Sequence, residues 1–175
     1  LPCENIEIRL FTKPDEILDC IDSWSPHVLG LSHYMWNAAL SYQVCEYAKQ
    51  KDKQILSILG GPEFPSGSGQ SNLASSKDLC FDYLLDRPAI DYYCYSDGET
   101  ALTSVVEHYI ECEHNVRLMK DLAIAVDGTV SIDHQTQQLL IGKPQLRVGL
   151  EKNTSRDVIP SPYLSGLLDK FLDGS

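Results

Sequence analysis

Residues 6–11 alternate apolar Ile6, Ile8 and Leu10 with charged Glu7 and Arg9, the period-two pattern of a half-buried strand near a sheet edge. Pro14 and Asp15 then open a helix running to about Trp24, because proline suits a first helical turn and acidic side chains suit the positive end of the helix dipole. Ile17, Leu18 and Ile21 give that helix its core stripe. Pro26 ends it, and the nearly all-apolar run 27–31 predicts a central parallel strand covered on both faces. A helix over 38–50 and a strand over 54–59 follow. Strand, helix, strand, helix, strand is the pattern of an α/β domain with a doubly wound parallel sheet.

Residues 65–71 interleave Ser and Gly and read as a mobile loop. A helix over 76–85, a strand over 91–95 and a helix over 100–111 come next, the last burying Val105, Val106, Tyr109 and Ile110. The pattern then changes. Leu122 to Val126, the pair Asp127-Gly128, and Thr129 to Ile132 read as a hairpin, since Asp-Gly supplies the positive φ of a tight turn. Residues 159–163 are too proline-rich to be regular and read as a linker. Leu164, Leu167, Leu168, Phe171 and Leu172 then fall at helical spacing. The expected organisation is a Rossmann-like or flavodoxin-like domain over 1–118, an antiparallel hairpin appendage over 119–158, and a linker with the start of a following domain over 159–175.

A chain of 175 residues with 43% apolar content can bury a real core without disulfides. Its net charge of −11 argues against nucleic acid and anionic membrane surfaces, which need clustered Lys and Arg. No run approaches the ~20 apolar residues of a membrane span, and no secretory signal opens the chain. The six cysteines are scattered without a CxxC pair and read as reduced thiols in a cytoplasmic protein. Asn153-Thr154-Ser155 is a formal glycosylation sequon, read as chance. The opening Leu1-Pro2-Cys3 and the close at Ser175 suggest a segment excised from a longer protein.

Two clusters carry the chemistry. Ser32-His33-Tyr34 follows one buried strand and Gly60-Gly61-Pro62 the next, so both belong on the carboxyl edge of a parallel sheet, where open α/β sheets bind ligands. A small hydroxyl beside a glycine pair that admits close approach points to a bulky cofactor with a polar tail rather than to a protein partner. His108 and Cys112 lie one helical turn apart, but two ligands do not make a zinc site, and both read as structural.

Residues 26–37 (Pro-His-Val-Leu-Gly-Leu-Ser-His-Tyr-Met-Trp-Asn), Leu59-Gly60-Gly61-Pro62-Glu63, Ser96-Asp97-Gly98-Glu99 and Ile159-Pro160-Ser161-Pro162-Tyr163-Leu164 together resemble the amino-terminal cobalamin-binding domain of cobalamin-dependent radical S-adenosylmethionine enzymes. That family includes methyltransferases and the anaerobic magnesium-protoporphyrin monomethyl ester oxidative cyclase. The resemblance runs from about Ile6 to Phe171. Corrinoid domains carry a Ser-x-Leu motif before a Gly-Gly pair; Ser32 and Gly60-Gly61 match, and Tyr34 stands where Leu would. Ser96-Asp97 replaces the family's first Gly-Glu, and the CxxxCxxC cluster motif is absent. The Asp-x-His-x-x-Gly motif of the corrinoid methyltransferase and mutase domains, which radical enzymes of this group often lack, would lie ahead of Leu1, as would the family's first strand and the helix after it.

The resemblance implies a non-catalytic module that binds cobalamin and presents it to a radical domain of the same parent chain, where S-adenosylmethionine and a [4Fe-4S] cluster would reside. Ser32 would hydrogen-bond the nucleotide tail, and Gly60 and Gly61, before Pro62 and Glu63, would let it lie against backbone. Gly98 and Glu99 would hold polar groups at a helix start. His33, Tyr34, Trp36 and Asn37 would form the loop facing the corrin ring, with His33 not taken as a cobalt ligand. The alternatives are a flavodoxin-like flavin domain and a degenerate domain serving as a scaffold. A phosphorylated receiver is disfavoured, because Ser32 and Ser96 stand where it needs Asp and Lys.

Overall fold

The computed structural model describes residues 6–65 and 76–144, together with Gly166 and Asp169. The chain divides into two compact units, Leu1–Gln145 and Leu146–Ser175. In the second, the Asp169 N–H donates to the Gly166 carbonyl at 3.2 Å. Residues 66–71 of the loop expected at 65–71, the linker at 159–163, the sequon and the stripe residues Leu164, Leu167, Leu168, Phe171 and Leu172 lie outside the described residues.

In the first unit, α1 (Pro14–Trp24) begins on proline with Asp15 and Glu16 in its first turn and buries Cys20 and Ile21. Then come β1 (Val28–Ser32), α2 (Ala38–Lys51), β2 (Leu56–Gly60), α3 (Lys77–Leu85), β3 (Tyr92–Cys94) and α4 (Gly98–Glu111). The chain continues through α5 (Val116–Leu122), β4 (Thr129–Asp133) and β5 (Gln138–Ile141). The five strands form one sheet in sequence order. β1, β2 and β3 run parallel, with Ser32 beside Gly60 and Gly60 beside Cys94. β4 and β5 extend the sheet antiparallel from β3. This is an open α/β fold of the Rossmann-like kind with an antiparallel hairpin at one side.

Helices cover both faces, as alternation along the strands requires. Leu56, Ile58, Tyr92 and Cys94 pack with Ala101, Val105 and Tyr109 of α4 and with Val116 and Met119 of α5. On the opposite face, Leu59 and Tyr93 pack with Cys45 of α2 and with Cys80 and Leu84 of α3. Leu29 joins Ile21 of α1 and Val44 and Ala48 of α2. Among the described residues no helix is long and apolar enough to cross a membrane.

Four expectations need correction, and one is Ile110 of α4, which is 41% exposed rather than part of the buried face. Residues 6–11 form no strand: alternation defines a face, but a strand also needs a ladder partner, and here Ile8 is 74% exposed while Arg9 stacks on Trp24 at 4.2 Å. β1 is not central. It forms the edge of the described sheet, covered at Leu29 on one side, with Gly30 and Ser32 exposed on the other. Finally, Leu122 to Val126 is not a hairpin arm. Asn115 caps α5 by accepting from the Leu118 N–H at 3.0 Å, and that helix runs through Leu122 to a left-handed cap at Ala123. The hairpin turns instead after Asp133, whose carboxylate accepts from the Gln135 N–H at 2.8 Å and the Thr136 hydroxyl at 2.5 Å.

Candidate functional site

The parallel strands end in register, so Ser32, Gly60 and Cys94 lie in one row across the carboxyl edge. They share the sheet face that carries α4, because Val28 and Cys94 pack into the α4 cluster and residues two apart on a strand point the same way. Gly30 lies on this face too. Among the described residues, a Cβ added at Gly30 or at Gly98 would meet no atom within 4 Å, and one at Gly60 would touch only Cys94. The result is an open, nearly side-chain-free strip running from Gly30 past Ser32 and Gly60 toward the start of α4.

The loop after β1 borders this strip. Asn37 holds it closed: its Oδ1 accepts from the Tyr34 N–H at 2.7 Å, and its Nδ2 donates to the Ser32 carbonyl at 3.1 Å and the Ser32 hydroxyl at 3.3 Å. Tyr34 and Trp36 then stack with ring centroids 4.7 Å apart and planes 14° apart. Trp36 is 78% and Met35 79% exposed. A flat aromatic surface at the carboxyl edge, exposed among the described residues, is suited to a large planar ring.

His33 does not belong to that surface. Its ring is 1% exposed and points between α2 and α3, with Nδ1 2.6 Å from the Ser41 hydroxyl and Nε2 2.6 Å from the Tyr83 hydroxyl. Burial holds its pKa below the ordinary histidine range, with the Arg87 cation pushing the same way and Glu63 opposing. Its main chain ties the two site loops together: the His33 N–H donates to the Gly60 carbonyl at 2.8 Å, and the His33 carbonyl accepts from the Glu63 N–H at 3.4 Å.

Gly61 and Gly60 therefore have different tasks. Gly61 adopts φ +146°, and a Cβ there would drive into the His33 carbonyl oxygen and stand 2.9 Å from its carbon. Its own carbonyl accepts from the Tyr93 hydroxyl at 3.0 Å. Pro62 is exposed, Glu63 is half-buried, and Gly98 and Glu99 lie exposed in the first turn of α4. The structure thus brings Ser32, Tyr34, Trp36, Asn37, Gly60 and the start of α4 to one edge, and turns the His33 ring away from it.

Sequence reasoning passed over Gly30, although a glycine inside a strand pattern is a signal of close backbone approach. It also passed over a buried ionic knot at the opposite, amino edge of β3. There Asp91, fully buried, pairs with Lys49 of α2 and with Lys120 of α5 at 2.6 Å, and accepts from the Ser57 N–H at 2.8 Å. Burial lowers the Lys49 pKa and Asp91 opposes that shift. No signal within the local sequence pairs these three residues. Burial likewise pushes the Cys45 and Cys94 thiols up to about 12 and raises those of Cys80 and Cys112, which disfavours the reactive thiolate at these four. Among the described residues no group of three or more His, Cys, Asp or Glu is placed to hold a metal ion.

No family model matches the chain. It is 29% identical over 168 residues, 91% of its length, to 2-(S-pantetheinyl)-carbapenam-3-carboxylate methyltransferase of Streptantibioticus cattleyicolor. It is also 26% identical over 144 residues, 82% of its length, to the cobalamin-dependent radical SAM methyltransferase TokK of Streptomyces tokunonensis. The match spans 20% of the first relative and 17% of the second. Along most of its length, then, the chain is similar to one segment of two much longer methyltransferases, one of them cobalamin-dependent by name.

Proposed function

We propose that the chain is the cobalamin-binding module of a longer radical S-adenosylmethionine methyltransferase. The observation that carries this reading is the open strip of Gly30, Ser32 and Gly60 on the α4 face, bordered by the exposed Tyr34–Trp36 stack. The strip would receive the extended nucleotide tail against backbone, with the Ser32 hydroxyl and the first turn of α4 as polar partners. The aromatic stack would lie against the flat ring. When bound, cobalamin supplies a carrier for a methyl group, and the protein contributes binding and orientation. Asn37 fixes the loop that carries the aromatic pair, and Gly61 lets the second loop close on the first. Both relatives carry methyltransferase in their names, which favours methyl transfer over oxidative cyclisation.

The test is retention of hydroxocobalamin after desalting, read from the visible spectrum, in the wild-type chain and in Gly30→Val. Valine at an exposed strand position with no neighbour within 4 Å leaves the fold intact, since β-branched residues suit strands. The wild type is expected to retain corrin, and the variant to lose at least tenfold in affinity with undiminished thermal stability. A folded wild type that retains no corrin refutes the reading and leaves the flavin or scaffold alternatives; equal retention by Gly30→Val refutes the placement of the tail.

A further inference from the structure

We infer that His33 is the positioning residue of the carboxyl edge: as the neutral Nδ1–H tautomer it latches the two site loops to α2 and α3, and its protonation releases them. The inference rests on the proposed cobalamin site and adds a regulation to it.

The tautomer follows from counting hydrogens. The Ser41 hydroxyl has one hydrogen; with that hydrogen given to the Ala38 carbonyl 3.1 Å away, it acts toward His33 as acceptor and Nδ1 carries the proton. In a neutral ring Nε2 is then bare, and the Tyr83 hydroxyl donates to it across 2.6 Å. In this state both ring nitrogens are paired and the Ser41 hydrogen keeps the Ala38 carbonyl as its partner, a contact the Nε2–H tautomer gives up because Ser41 must then donate to Nδ1. A second proton on Nε2 would confront the Tyr83 hydrogen, and the hydroxyl would have to turn within a cluster where Tyr83 also meets Phe64 and Tyr93 edge-on.

The groups facing the ring are Ser41 from α2, Tyr83 from α3, Arg87 just beyond it, Tyr93 from β3 and Glu63 from the loop after β2. Burial and Arg87 favour the neutral form against the single opposing charge of Glu63. The sign follows. Below the ordinary histidine pKa of about 6.5, an unlatched His33 takes up a proton that the latched one refuses, so the latched geometry weakens as pH falls. The same backbone holds Gly60 and Glu63 and begins the loop bearing Tyr34 and Trp36, so release of His33 disturbs both sides of the corrin site.

Two readouts test this on the full chain. Ring nitrogen NMR of His33 is expected to give the Nδ1–H tautomer at neutral pH and a titration below the ordinary histidine range, with the Gly61 and Glu63 amide signals moving in step. Hydroxocobalamin affinity is expected to fall along the same curve, by up to tenfold per pH unit below the midpoint for one linked proton. Arg87→Gln removes the opposing cation and should move both midpoints to higher pH; His33→Gln should remove the pH dependence. An Nε2–H tautomer, Gly61 and Glu63 signals that ignore the titration, or an affinity profile that Arg87→Gln leaves in place overturns the latch. Should wild-type protein retain no corrin at any pH, the cofactor reading fails by itself, and the NMR titration still decides the role of His33.

Discussion

Replacing Gly61 by alanine tests the geometry of the site more severely than any change at its surface. Gly61 sits at φ +146°, and a Cβ there would penetrate the His33 carbonyl oxygen and lie 2.9 Å from the carbonyl carbon and 3.1 Å from the His33 nitrogen. These are backbone atoms of the residue just after β1, so relief requires the two loops to separate by about 1 Å, since carbon contacts are comfortable only near 3.5 Å. Separation breaks the His33 to Gly60 and Glu63 to His33 backbone bonds, at about 1 kcal/mol each. The glycine-only backbone region adds about 1–3 kcal/mol for a residue with a side chain. The expected loss is roughly 3–5 kcal/mol, a large part of the ~5–15 kcal/mol that holds a domain together. For a chain of this size it lowers Tm by about 10 °C or more.

Gly60→Ala is the matched control. Its Cβ would stand 3.3 Å from the Cys94 Cβ and 3.6 Å from the Cys94 carbonyl oxygen, a tight contact with a small side chain, costing no more than about 1 kcal/mol. Urea unfolding of both variants, read at equal m-values, separates the two. If Gly61→Ala costs within about 1 kcal/mol of Gly60→Ala, the two loops are not in the contact described here, and the partition of tasks within the glycine pair is wrong.

Other expectations can be read directly. Asp91→Ala strands the Lys49 and Lys120 cations beside the unpaired Ser57 N–H, and should destabilise by about 3–5 kcal/mol in urea unfolding; a loss under about 1 kcal/mol would mean that the knot is solvated. Trp24 and Trp36 are the two tryptophans of the chain, so Trp24→Phe leaves Trp36 as sole emitter, and hydroxocobalamin should quench it saturably. Quenching that grows only linearly with concentration would place the ring elsewhere than on the Tyr34–Trp36 stack.

The elements that the sequence discloses are those whose signals are local. Proline and acids at the start of α1, the apolar runs of β1 and β2, and the helices α2, α3 and α4 each depend on neighbours in the chain, and the structure has them within a few residues of expectation. What failed depends on neighbours in space. The alternation of residues 6–11 is intact, yet no described strand pairs with it. The Asp127-Gly128 turn is real, with Gly128 at φ +79°, but it leads from a helix cap into β4 rather than joining two strands, and the Gly128 N–H donates instead to the Lys143 carbonyl at 2.7 Å. In the site, the carboxyl-edge placement of Ser32 and Gly60 follows from strand order alone. The inward turn of the His33 ring does not, because its partners Ser41 and Tyr83 lie 8 and 50 residues away.

The separation of tasks within the glycine pair also bears on whether the domain is a scaffold that has shed its cofactor. Gly61 is demanded by the fold, since no other residue fits against the His33 carbonyl, and a scaffold would need it as much as a cofactor site would. Gly30 and Gly60 are not demanded in this way. Neither has a positive φ among the described glycines, and a Cβ at Gly30 would meet nothing within 4 Å. A glycine inside a strand costs about 0.5–1 kcal/mol relative to alanine, so Gly30, which no described neighbour crowds, forgoes that much with no return in packing. Such a loss makes physical sense where something other than the protein occupies the space a side chain would take. The bare strip beside Ser32 is therefore the feature that separates a cofactor-binding edge from a scaffold of the same fold, and it gives Gly30→Val its force: the substitution that most favours the strand is the one that should most harm the site.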